Sequence, residues 1–321
     1  MTNGLSYKTK QFFFVLIKLS IVAGTFYFIY QKLTQNEHLS FSDFSHFLEK
    51  NKVFSLKNIL FLLFLTVFNW FFEILKWQKL ASIVTKISFF KSLEQSLGAL
   101  TASLFTPNRI GEYGAKAVYF QYGVRKKIML LNLLGNMSQM AVTTFVGIFG
   151  LLAFYATYKP EINPYQLLVL VGICLIILLF ARHFWRNNSW NLRGFELSKI
   201  KAFIKDIAPA TKTQVLLLAT IRYFLFSLQF YFLLTLFQVN LNYYEAMVVI
   251  SCSYLLSSII PSIFIFDVVV KGGVAVFLFS FAAVDNVIVL STITFMWLLN
   301  FVLPSIFGSY YVLNFNLAHK E

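Results

Sequence analysis

The stretch TASLFTPNRIGEYGAKAVYF, residues 101–120, begins and ends apolar but carries a proline, two glycines and three charged side chains between those ends. Thr106 before Pro107 reads as an N-cap followed by proline at the first helical position, so a helix is expected to begin there. Its free N–H groups would then make an anion site. Arg109 adds a planar, bidentate donor suited to phosphate, with Asn108 beside it. Glu112 and Lys116 follow at spacings of three and four, so the three charges share one helical face. Gly111 and Gly114 allow close approach of backbone or ligand.

The surroundings decide what such a break means. Of 321 residues, 58% are hydrophobic and only 12% charged, with 39 Phe; the mean hydropathy is +0.71. Soluble domains carry roughly 25% charge and roughly 45–50% apolar residues. A chain this apolar has lipid for solvent, and disorder, collagen and coiled-coil classes are excluded by the same composition. In lipid the backbone must satisfy itself, so the expected fold is an all-α polytopic membrane protein forming one domain over 1–321.

A bilayer core of roughly 30 Å takes about 20 helical residues. Apolar runs of that order lie at 11–31, 57–76, 128–157, 164–182, 214–238 and 286–315, the last with an expected bend at Pro304. The first is not a cleaved signal: Phe12 to Tyr30 is long, is interrupted by Lys18 and lacks a small-residue cleavage site. Two further apolar stretches, 92–122 and 244–283, are broken near their middles. The second reads LLSSIIPSIFIFDVVVKGGVAVFLF over 255–279. The expectation is about six full spans plus two broken, re-entrant hairpins, six to eight spans in all.

The charges set the orientation. Formal net charge is +14, and with the N-terminus cytoplasmic the segments 1–18, 76–127 and 182–213 hold 19 basic against 4 acidic residues. The outer loops 31–57 and 159–163 hold 5 against 4. This is the positive-inside pattern, which makes topology a stronger reading of the charge than nucleic-acid binding. The two breaks are then entered from opposite faces, as in transporters built from inverted repeats. Residues 195–207, inside the cytoplasmic segment 183–213, pattern as an amphipathic helix with Lys199, Lys201 and Lys205 largely on one side. It lies either on the inner leaflet or on the protein itself. Phe41, Phe44, Phe47 and Leu48 repeat the pattern in the outer loop.

Polar residues inside apolar spans cost free energy and are functional candidates by default. Arg109 and Glu112 either bind a ligand or pin the hairpin as an ion pair, and a pinned arginine still offers free N–H donors. In the second break Asp267 and Lys271 are four apart and pair across one turn, or serve a ligand or coupling ion. Asn69, Glu73, Asn132, Asn136, Gln139, Arg222, Gln229 and Asn300 read mostly as interhelical hydrogen-bonding groups, with Glu73 and Arg222 the candidates to line a cavity. Cys174 and Cys252 lie in apolar runs with no CxxC and read as small hydrophobes. No nucleotide loop, HExxH or GxSxG occurs, so no cofactor, metal or recognisable catalytic motif is expected.

TPNRIGEYGAKAVYF resembles the TPGRIGE signature of the flippase-like domain, also called the lysylphosphatidylglycerol synthase transmembrane region family. PSIFIFDVVVKGGVAVFLF resembles that family's second, glycine-rich signature. The resemblance implies a bacterial cytoplasmic-membrane protein that moves or binds anionic lipids or glycolipids, polyprenyl-linked ones included. It puts the family's functional Arg and Glu at Arg109 and Glu112. In the second signature Lys271 stands at the Arg position and Gly272 at the Glu position. The chain ends at Glu321 with no length left for the aminoacyl-transferase domain of full synthases, and lysyl transfer is not expected.

The site expected from sequence is Thr106, Pro107, Asn108, Arg109, Gly111, Glu112, Lys116, Asp267 and Lys271, around a lipid phosphate. The expected function is lipid translocation between leaflets. Its alternatives are a non-catalytic partner of an envelope-synthesis enzyme and an intramembrane lipid-modifying transferase.

Overall fold

The computed structural model describes residues 55–104, 106, 109–160, 191–192, 195–259 and 266–315, with five isolated helical residues before 55. Among the described residues it is helical apart from turns and a two-residue antiparallel pair, Asn191–Leu192 with Phe195–Glu196. In chain order the helices are α1 (Leu56–Ala81), α2 (Phe89–Ser103), α3 (Gly111–Ala117), α4 (Arg125–Tyr158), α5 (Leu197–Asp206), α6 (Pro209–Leu236), α7 (Tyr243–Ile259), α8 (Phe266–Ser280), α9 (Asn286–Trp297) and α10 (Leu303–Asn314).

Among the described residues four helical segments are long and apolar enough to cross a bilayer: Leu56–Ala81, Tyr122–Tyr158, Pro209–Leu236 and Asn286–Asn314. They coincide with four of the six expected spans. The other two, 11–31 and 164–182, lie almost wholly outside the described residues, as does the outer-loop pattern at Phe41–Leu48. Each helix follows from its sequence. α1 is a run free of Pro and Gly, so nothing interrupts propagation. The Ser88 hydroxyl caps α2 by accepting from the Lys91 N–H, and Asp285 caps α9 by accepting from Val287.

The two broken stretches are each a pair of short helices. α2 and α3 flank the first break; α7 and α8 flank the second, whose residues 260–265 lie outside the description. α7 packs antiparallel along the far half of α4 at Gly147 and Gly150, where an added Cβ would meet Leu255 and Ser251. At Gly308 an added Cβ would strike the Leu97 carbonyl and the Thr101 hydroxyl, so α10 and α2 touch through bare backbone. Lipid gives helices no hydrophobic reason to associate, and close packing at small residues takes its place.

The bundle has two distinct ends. At one, Trp77, Leu80 and Ala81 of α1 pack with Ile128 and Leu131 of α4, Val215 of α6 and Ala117 of α3. At the other, Leu62 of α1 packs with Phe154 of α4 and Leu233, Leu234 and Phe237 around the end of α6. α1 therefore runs opposite to α4 and α6. The first end also carries Lys79, Arg125, Lys126, Lys127 and Lys212. There α5 rests Phe203 and Ile207 against the α1–α4 core, with Lys127 stacked on Phe203 at 5.9 Å and Lys199 and Lys205 exposed. Of the two expectations for this helix, packing on the protein describes its C-terminal end.

Candidate functional site

The first break differs from its expected form. α3 starts not at Pro107 but at Gly111 and is seven residues long. The chain between α2 and α3 turns at Arg109, which holds φ 56°, a left-handed backbone few non-glycine residues adopt. Thr106 still serves the helix start, at one remove: its hydroxyl accepts from the Gly111 N–H at 3.0 Å and donates to the Ser103 carbonyl at 2.7 Å. The first free N–H of α3 is thus already satisfied, so the expected anion site at a helix N-terminus is not what this segment builds. Gly111 sits hard against Thr106 and Ser103, leaving no room for a side chain, whereas Gly114 faces open space. Pro107 and Asn108 lie outside the described residues.

The charged triad does form on one face. Glu112 is buried and holds a cation on each oxygen: Arg109 at 2.6 Å on Oε2 and Lys116 at 2.7 Å on Oε1. Lys116 is 1% exposed, donates to Asn132 Oδ1 at 2.9 Å and lies 4.3 Å above the Trp77 ring. Trp77 is fixed in turn by its indole N–H donating to Gln95 at 2.8 Å. Arg109 faces the ring of Phe301 at 5.8 Å.

A second carboxylate faces this triad. Glu73 of α1 takes Lys76 at 2.7 Å and Arg222 of α6 at 2.7 Å, both on Oε2. Lys76 is 2% exposed. Glu73, Arg222, Arg109, Glu112 and Lys116, with Trp70, Ser96 and Asn136, line one small, partly open polar cleft of about 30 Å³, which Lys76 joins through Glu73. At 1.5 Å per residue, Glu73 lies about 12 Å from the end of α1, Asn136 about 16 Å from the start of α4 and Arg222 about 20 Å from the start of α6. The cleft is therefore inside the bundle, nearer its basic end.

Behind Arg222 runs a chain of amides. Its Nε donates to Asn69 Oδ1 at 3.1 Å; Asn69 donates to Asn300 at 2.8 Å, and Asn300 to Gln229 at 2.7 Å. Gln229 closes on Thr66 and the Leu62 carbonyl. Asn136 donates to Tyr113 and Gln139 to the Ala219 carbonyl. The intramembrane amides are thus the interhelical ties their sequence positions predict.

Of the nine residues expected at the site, the structure gathers Thr106, Arg109, Gly111, Glu112 and Lys116. Lys271 is exposed and does not line the cleft; the Asp267 side chain lies outside the description. Sequence reasoning missed Lys76, which it counted among the cytoplasmic charges, and Ser96, which lies in an unremarkable small-residue run. The spacing of Lys76 from Glu73, one helical turn, was the available signal. Among the described residues no group of His, Cys, Asp and Glu is placed to hold a metal ion. Cys252 is a buried free thiol in α7.

No protein-family model matches the chain, and no curated protein matches it.

Proposed function

We propose that this protein is a multi-pass cell-membrane protein, with a cytoplasmic N-terminus, that binds a phosphate-bearing lipid headgroup and carries it between leaflets. One observation carries the reading: three cationic side chains and two carboxylates line a single small polar cleft inside a bundle of apolar helices, with a fourth cation, Lys76, paired to one of the carboxylates. Ionisable side chains inside a lipid-facing bundle are functional-site candidates by default, as markers of substrate or ion paths.

Translocation rather than static binding is supported by the interruption of α2–α3 beside the cleft. Interrupted helices of this kind form the substrate sites of many secondary transporters, around which the rest of the bundle rocks. The likeness of TPNRIGEYGAKAVYF to the flippase-like signature points the same way, and membership of that family, six to eight spans and an inverted repeat belong to this proposal.

The test is mass spectrometry of lipids retained by gently purified protein, wild type against Arg109→Ala. Glu112 keeps Lys116 as a partner in the variant, so it should remain folded by size exclusion. A phosphate lipid retained by the wild type and missing from the folded variant is the expected result, and it justifies a leaflet-translocation assay in vesicles. If both proteins carry only the bulk membrane mixture, the reading fails.

A further inference from the structure

We infer that the cleft is matched to a dianionic phosphate, a monoester or a terminal diphosphate, rather than to the singly charged phosphodiester of bulk phospholipids. This deepens the phosphate-binding reading and rests on it. The argument is one of charge balance at named atoms.

With all groups ionised, Lys76, Arg109, Lys116 and Arg222 supply four positive charges, and Glu73 and Glu112 two negative. Each carboxylate already bridges two cations, so neither has a further charge to give. Two positive charges are left without a counter-charge within this six-member network, five of whose side chains line the cleft and whose sixth, Lys76, is paired to Glu73. Three of the six side chains (Lys76, Glu112 and Lys116) are 5% exposed or less. A low-dielectric interior makes unbalanced charge costly, and a ligand that brings two negative charges removes the imbalance in one step. A diester brings one.

Two unpartnered donors add direction. Ser96 is 3% exposed and lines the cleft, and its buried hydroxyl has no hydrogen-bond partner; Arg109 Nε is buried and likewise has none. Buried polar groups are normally paired, and the exceptions call for a ligand. Both are donors on the wall of the same cleft. A phosphate monoester offers three terminal oxygens as acceptors, where a diester offers two.

The test uses the full chain in a zwitterionic detergent at pH 8, where a phosphomonoester with a second pKa of about 6 is doubly charged. Phosphatidic acid and phosphatidylglycerol with identical acyl chains are titrated by native mass spectrometry, with inorganic phosphate as competitor. Phosphatidic acid should bind about tenfold or more tightly than phosphatidylglycerol, equivalent to about 1.4 kcal/mol or more. Ser96→Ala breaks no internal hydrogen bond and should keep the melting temperature while weakening phosphatidic acid several-fold. Arg222→Gln, where it folds, should narrow the preference between the two lipids. Equal binding of both lipids, lost in Arg109→Ala, overturns the dianion inference but leaves the phosphate site standing. Binding of neither lipid and no inorganic phosphate overturns both. Inorganic phosphate binding as tightly as phosphatidic acid supports the dianion and moves its source from lipid to solution.

Discussion

At the scale of single residues the cleft shows how a membrane protein keeps charge buried. Each carboxylate is shared between two cations, one on its own helix and one reached across a break or from another helix: Lys116 and Arg109 for Glu112, Lys76 and Arg222 for Glu73. Removing one member of such a set strands the others, because their desolvation has already been incurred on folding. Glu73→Gln leaves Lys76 and Arg222 facing each other without an anion and should destabilise the protein by about 3–5 kcal/mol. Glu73→Gln with Lys76→Gln should lose less than the two single changes summed, measured by thermal or denaturant unfolding in detergent. Additive losses would mean the pair is not coupled. The Glu112–Lys116 pairing was legible because i, i+4 neighbours meet on any helix face, whereas Arg109 reaches Glu112 from the turn before α3. The start of α3 was not. Thr-Pro is a good local start signal, but the chain keeps a left-handed turn at Arg109 and delays the helix to Gly111. Nothing in the dipeptide encodes that turn, which is held by the Thr106 hydroxyl reaching five residues forward.

At the scale of elements, the last span was expected to bend at Pro304. The structure accommodates the proline with a π-helical turn at Leu298–Val302, in which the Leu303 N–H bonds back five residues to the Leu298 carbonyl. Proline has no N–H, so the Asn300 carbonyl loses its usual donor four residues on. The Trp70 indole N–H from α1 supplies one at 3.1 Å. The Asn300 side chain is meanwhile tied to Asn69 and Gln229. The helical irregularity and the buried amide chain are thus one feature, and π-turns commonly sit at functional positions. Trp70→Phe should cost about 1–3 kcal/mol by leaving that carbonyl unpaired. In a Pro304→Ala background the new N–H can serve Asn300 directly, so the same Trp70→Phe change should cost clearly less. A double-mutant cycle on unfolding midpoints measures this, and an unchanged cost would assign Trp70 to packing alone. Hydropathy located the span, and the proline located the irregularity. The partner 230 residues away could not be read, because an amphipathic pattern says which face is buried and not against what.

At the scale of the whole molecule, what remains is which end faces the cytoplasm. Four spans were legible because a run of about 20 apolar residues has few alternatives to crossing lipid. The antiparallel course of α1 against α4 and α6 agrees with the charge-derived order of crossings. One end of the bundle gathers Lys79, Lys86, Arg125, Lys126, Lys127 and Lys212, whereas the α6–α7 connection at 237–242 carries no charged residue. The positive-inside bias acts on such short flanking segments, so the basic end should be cytoplasmic. The cleft, lying nearer that end, would then be loaded from the inner leaflet. Single cysteines at Lys86 and Lys126, placed in a chain with Cys174 and Cys252 replaced by alanine, should resist a membrane-impermeant maleimide in intact cells and react after permeabilisation. A cysteine at Asn242, in the opposite connection, should react in both. Cys252 lies in the core beside Gly150 of α4, so the smaller alanine leaves that helix contact open. Labelling of 86 and 126 in intact cells would invert the molecule. The same cleft would then open toward the outer leaflet, and the direction of lipid loading would reverse with it.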